Sequence, residues 1–175
     1  MTRIALLLVA LLTLGMVEQP AQETSRESEL LRSVPCLRRA GESNPIPESA
    51  NGCARADMVK LLRQLAGPHA VNCGDIGRGA DRSTAFACIE QRLKEGSPLF
   101  AVLDVQGIDS CVAKGVVRTA EGSLRMLTWT SDAYGGGCEP KHPEMWLQEC
   151  GRIEVDQSQG GRNVWDPFKC LDPGS

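Results

Sequence analysis

Three chemically capable side chains stand together in the stretch Val105-Gln106-Gly107-Ile108-Asp109-Ser110-Cys111: an acid, a hydroxyl and a thiol. A serine becomes a nucleophile when a base takes its proton, most often a histidine oriented by an acid. The chain carries two histidines, His69 and His142. His142 is the better base for Ser110, since it follows the third expected strand. The G-x-S-x-G elbow is absent, and Gly107-Ile108-Asp109-Ser110 only echoes a glycine–aspartate–serine arrangement with one residue inserted. Gly107 and Asp109 are ordinary turn residues, and Asp and Ser side chains bond their own turn backbone. The stretch therefore reads as a turn that leads into a half-cystine, Cys111.

The loop Ser131–Pro143, SDAYGGGCEPKHP, is the stronger binding candidate. It is long for a strand connection, and such loops often form binding surfaces. It holds the only tyrosine, Tyr134, beside Gly135, Gly136 and Gly137, where backbone amides can approach a partner. Asp132, Glu139, Lys141 and His142 add polar groups. The expected binding residues are Asp132, Tyr134, Gly135, Gly136, Glu139 and Lys141. The plainer alternative is a hairpin end pinned by Cys138.

Other chemistries fit less well. Glycoside hydrolysis needs two acids across a cleft; Asp104, Asp109, Asp132 and Glu149 lie on or near expected strands, where outward-facing acids are ordinary. Calcium through Asp132 and Glu139 lacks the D-x-[DN]-x-[DN]-G pattern. The segment NCGDIGRGADRS (72–83) suggests a phosphate cradle, but it has no G-K-[ST] ending and no apolar strand before it. It reads as an irregular loop. Zinc sites favour close pairs such as C-x2-C, whereas the nearest cysteines, Cys138 and Cys150, are twelve positions apart. No metal and no cofactor is expected.

The elements that hold these residues begin with an address. Arg3 precedes an uncharged apolar run from Ile4 to Val17, followed by polar residues, the layout of a secretory signal peptide. The run is shorter than the roughly 20 residues a spanning helix needs. Residues 1–21 are assigned to the signal, with cleavage after Gly15 or Ala21 left open. About 150 residues remain, the size of one domain. No second run of membrane length follows, so the mature chain is expected without a membrane span. Eight cysteines, Cys36, Cys53, Cys73, Cys88, Cys111, Cys138, Cys150 and Cys170, all follow the signal. An even count in an exported chain implies four disulfides. Cys73–Cys88 and Cys36–Cys53 are the expected pairs, and the other four cysteines pair among themselves. The formal net charge of −3, with both signs interspersed, argues against a nucleic-acid partner.

Residues 22–52 form a polar amino-terminal extension, with a short helical candidate around Glu27–Ser33, an extended connection marked by Pro45 and Pro47, and Cys36 as its tie. Residues 53–175 form a single α+β domain. In Cys53–Ala66, Met58, Leu61, Leu62 and Leu65 make one helical stripe, with Asn51 as a candidate cap. Asp81–Glu95 is a second helix, capped by Asp81 or Ser83, with Phe86, Ile89 and Leu93 on one face. Leu99–Val105, Cys111–Thr119, Ser123–Ser131 and Glu144–Val155 then read as strands with short connections. The expected fold is two helices followed by an antiparallel meander of about four strands. Phe86, Ile89, Leu93, Leu103 and Val105 should be buried. Trp165 and Phe168 should pack back onto the sheet, with Cys170 anchoring the tail.

Asn72-Cys73-Gly74, Cys88, Pro98-Leu99-Phe100, Gly107-Ile108-Asp109-Ser110 and Gly135-Gly136 resemble exported bacterial proteins of unassigned function. The resemblance spans about a third of the chain and implies an exported compartment, periplasmic or extracellular. The expected function is a disulfide-stabilised binding or inhibitor-like module acting on a protein or envelope component. The alternative is a small exported hydrolase using Ser110 or paired carboxylates.

Overall fold

The computed structural model describes residues 27–39, 53–160 and 166–173. The expected signal peptide, Pro45, Pro47, Asn51 and Trp165 lie outside these residues. The described helices are α1 (27–32), α2 (Arg55–Ala66) and α3 (Ser83–Glu95). The strands are β1 (Leu37–Arg39), β2 (Val71–Ile76), β3 (Leu99–Val105), β4 (Val112–Arg118), β5 (Leu124–Thr130), β6 (Glu144–Cys150), β7 (Arg152–Val155) and β8 (Phe168–Leu171). The first six form one sheet in the order β1-β6-β5-β4-β3-β2, while β7 and β8 make a separate antiparallel ribbon.

The expected meander is the centre of this sheet, since β3, β4, β5 and β6 pair antiparallel in sequence. The sheet as a whole is mixed, which corrects the purely antiparallel expectation. Strand β2 lies parallel to β3, and β1 lies parallel to β6. Strand β2 also corrects the loop reading of Asn72–Ser83. Its polar and glycine residues conceal it, and its register with β3 skips Cys73 between Asn72 and Gly74. Such a bulge re-aims a side chain, and Cys73 is bonded to Cys88 on α3. The crossover through α3 then allows β2 and β3 to run parallel.

Period-two alternation gives the sheet two apolar faces. Phe100, Val102, Val117, Leu127 and Trp129 pack under α2, whose Met58, Leu61, Leu62 and Leu65 are buried as the stripe requires. Leu99, Ala101, Leu103, Val116 and Met126 pack under α3 with Phe86 and Ile89. Leu93 is half-buried against this second cluster, a departure from full burial, because it sits one turn from the helix end at Gly96. The expected strand Glu144–Val155 breaks at Gly151. Strand β6 stays in the sheet, and β7 leaves it to pair with β8. Phe168 of β8 meets Phe86 edge-on at 6.1 Å, so the tail covers α3 as well as the sheet.

Helix α2 is capped at Ala54, whose N–H donates to the Asp57 carboxylate at 2.8 Å. Asp81 serves α3 by accepting from the Ser83 N–H at 2.9 Å. These hydrogen bonds hold the Asp81 carboxyl below its usual range, through the Ser83 backbone first and the Ser83 hydroxyl second. Four disulfides, Cys36–Cys53, Cys73–Cys88, Cys111–Cys138 and Cys150–Cys170, use every cysteine. This frame points to an oxidising, exported environment. Among the described residues no helix is long and apolar enough to cross a membrane.

Candidate functional site

The β3–β4 connection (106–111) and the β5–β6 connection (131–143) leave the sheet at the same end, because β3 and β5 run in the same direction beside β4. Cys111–Cys138 joins them covalently. Hydrogen bonds join them again: Gly136 and Gly137 N–H both donate to the Asp109 carbonyl, at 3.1 and 2.8 Å. The Ser131 hydroxyl donates to the Gly137 carbonyl at 2.7 Å and accepts from the Cys111 N–H at 2.9 Å. This net gives backbone groups of both connections partners within the chain.

The glycines owe their places to this stitching. A Cβ on Gly135, which has φ +79°, would fall 2.2 Å from Asp109 Oδ2, and one on Gly136 would fall 2.4 Å from Asp132 Oδ2. The space expected for a partner at Gly135 and Gly136 is thus filled by the loops' own carboxylates. Asp132 is buried, and its Oδ1 accepts from the Tyr134 N–H at 3.0 Å and lies 3.4 Å from His142 Nδ1. The His142 ring stands edge-on to Tyr134 at 5.3 Å. The polar core of the loop thereby positions the Tyr134 ring outward, at 73% exposure. Glu139 and Lys141 are exposed and linked only through backbone, Lys141 N–H to the Glu139 carbonyl at 2.9 Å.

Ile108, outside the expected binding set, is 90% exposed at the tip of the facing loop. Its one signal in sequence is an apolar residue flanked on both sides by turn residues. Ile108 and Tyr134 each lie one position from the Asp109–Gly135 contact, so two large apolar side chains project from one cross-linked platform.

The nucleophile candidate is engaged elsewhere. The Ser110 hydroxyl accepts from Thr130 Oγ1 at 3.2 Å, while His142 is turned to Asp132. The structure brings an acid–imidazole pair and a serine into one neighbourhood, and the serine hydroxyl pairs with Thr130. Of the other acids, Glu149 lies 3.9 Å from Arg125, Asp109 lies against Gly135, and Asp104 binds Arg55. Among the described residues no group of His, Cys, Asp and Glu side chains could hold a metal ion.

On the α2 side of the same end lies a cavity of about 310 Å³, lined by Arg55, Arg78, Asp104, Val112, Trp129 and the Cys111–Cys138 bridge. Arg55 spans Asp104 and Asp75, each at 2.5 Å. Partial burial works against its charge, but the two carboxylates outweigh this and raise its pKa. Arg82 is buried behind Asp104 and donates to its carbonyl, and desolvation lowers the Arg82 pKa despite the Asp104 charge. The Trp129 indole N–H donates to the Cys53 carbonyl at 2.8 Å, which fixes the ring as a wall. In comparisons with known proteins, no family model, curated sequence or solved structure matches this chain, so its reading rests on its own residues.

Proposed function

We propose that the chain is an exported, inhibitor-like binding module that docks a protein or envelope component through the paired loops 106–111 and 131–143. The observation that carries this reading is the exposure of Ile108 and Tyr134 on loops that are locked to one another. Exposed apolar side chains that cluster on one surface mark contact sites, and aromatic anchors dominate interface energies. A rigid platform also loses little freedom on binding, which favours affinity. The test places a photo-crosslinking residue at Ile108, at Tyr134 or, as a control, at exposed Gln91 on α3. Periplasmic or culture-supernatant proteins should crosslink at the first two positions and not at the third, and Ile108→Ala with Tyr134→Ala should abolish capture with an unchanged melting temperature. Equal crosslinking at all three positions, or capture that survives the double substitution, refutes the loop pair as the docking surface.

A second reading, a serine hydrolase centred on Ser110, draws support from the Asp132–His142 contact. An activated serine should be labelled stoichiometrically by a fluorophosphonate, and Ser110→Ala should abolish labelling. Labelling of that kind would move the assignment to the hydrolase.

A further inference from the structure

Of the eight half-cystines, Cys138 alone is exposed; Cys88, Cys111 and Cys170 are half-buried and the other four are buried. The space beside Cys138 is open as well, since a Cβ on the preceding Gly137 would meet nothing within 4 Å. Its partner sulfur stands in a different setting. Cys111 is half-buried in the lining of the cavity, and the Arg78 guanidinium donates to its Sγ at 3.7 Å. The bridge thus has one approachable end and one end beside a positive charge. The Cys150–Cys170 bridge has the opposite surroundings: its two sulfurs lie 3.8 and 3.5 Å from the Gln148 and Glu149 carbonyl oxygens.

We infer that Cys111–Cys138 is a thiol-exchange site, at which a low-molecular-weight monothiolate adds to Cys138. Exchange is attack by a thiolate on one sulfur of a disulfide, and it is faster where that sulfur is accessible and the departing thiol has a low pKa. Here the incoming sulfur bonds to Cys138 Sγ, the Cys111–Cys138 bond breaks, and its electron pair leaves on Cys111 Sγ. One disulfide replaces another and one thiolate replaces another, so the step needs no co-reactant beyond the monothiolate. The adjacent guanidinium stabilises the charge left on Cys111, whereas carbonyl oxygens beside Cys150 and Cys170 would oppose such a charge. Hydrogen bonds to the Asp109 carbonyl and the Ser131 hydroxyl still pair the loops, so the Cys111 thiolate stays near the new disulfide and can reverse the step. The inference rests on the surroundings of the bridge and is independent of docking at Ile108 and Tyr134.

The oxidised full chain is incubated with β-mercaptoethanol under native conditions, quenched with excess N-ethylmaleimide at timed intervals, and mapped by peptide mass spectrometry. Cys111–Cys138 should open roughly tenfold faster than any other bridge, with the mercaptoethanol adduct on Cys138 and the maleimide on Cys111. Arg78→Gln, in an exposed turn, should slow this opening about fivefold and leave the slower opening of Cys150–Cys170 unchanged, and Arg78→Lys should restore part of the rate. Equal or faster opening of another bridge, an adduct carried at least as much on Cys111 as on Cys138, a rate indifferent to Arg78→Gln, or a slowing of both bridges alike would each overturn the inference.

Discussion

Replacing Cys111 and Cys138 by alanine separates what the bridge does for the unfolded chain from what the hydrogen bonds do for the folded loops. The two cysteines are 27 positions apart. Cross-linking a loop of that length removes unfolded-state entropy worth about 3.5 kcal/mol at 25 °C. The folded pair keeps the two bonds to the Asp109 carbonyl and the two made by the Ser131 hydroxyl. The loss should therefore come almost wholly from the unfolded side, as a large fall in global stability with little change in loop geometry. Urea denaturation followed by tryptophan fluorescence gives the first quantity, and hydrogen exchange at the Gly136 and Gly137 amides gives the second. Their slow exchange should persist, limited by the new, lower global stability. A loss under about 1 kcal/mol would mean that the unfolded chain is already compact around these residues, contrary to the entropy argument. Exchange at Gly136 and Gly137 as fast as in an open chain would show that the bridge, and not the hydrogen-bond net, holds the platform.

Three further outcomes follow. Gly115→Ala places a Cβ 2.3 Å from Leu62 Cδ1 and 2.6 Å from Met58 Cε, so it should cost about 1–3 kcal/mol by overpacking; Leu62→Ala in the same chain should recover part of that, giving a double-mutant cycle that is not additive. Asp81→Ala should lower the melting temperature at neutral pH. Because the folded-state pKa is depressed, the contribution of Asp81 is present above the unfolded value of about 3.9 and is lost as pH falls through the lower folded value. The two melting curves should converge in strong acid, and a gap that persists there refutes the cap. Asp104→Ala, which removes the less exposed of the two Arg55 carboxylates and the charge beside buried Arg82, should cost about 1–3 kcal/mol in urea unfolding, against under about 1 kcal/mol for the more exposed Asp75→Ala.

Much of the frame can be read along the chain, because its signals are periodic. The stripe Met58, Leu61, Leu62, Leu65 and the alternation through Leu99–Val105 each identify one element and its buried face. Leu127 and Trp129 face α2, opposite Leu124 and Met126, as period two demands. Strand β2 is hidden for a physical reason. It is an edge strand with Asn72, Gly74 and Asp75 in it, and its ladder with β3 depends on a crossover that no local pattern announces. Gly151 looks like an ordinary strand glycine, and only the pairing of β7 with β8 reveals a break. The loop Ser131–Pro143 was legible as a surface connection, but the filling of its glycine space by Asp109 required knowing that a second loop lies against it. The cavity was not legible at all, since Arg55, Arg78, Asp104, Trp129 and Cys138 come from five separate segments.

Both margins of the six-stranded sheet are bolted to their neighbouring helices. Cys36 follows α1 and precedes β1, and its bond to Cys53 ties it to the start of α2; Cys73 in β2 is bonded to α3. This arrangement sets an order for biogenesis. The β3–β6 meander is built from contacts local in sequence and can assemble early, whereas β1 and β2 close longer circuits, and a disulfide secures each of them beside its strand pairing. A chain synthesised where thiols stay reduced would carry a formed centre with unlatched margins, and unpaired strand edges recruit other chains. Production of the folded molecule should thus depend on where it is made: an oxidising environment that closes both bridges protects the two sheet margins.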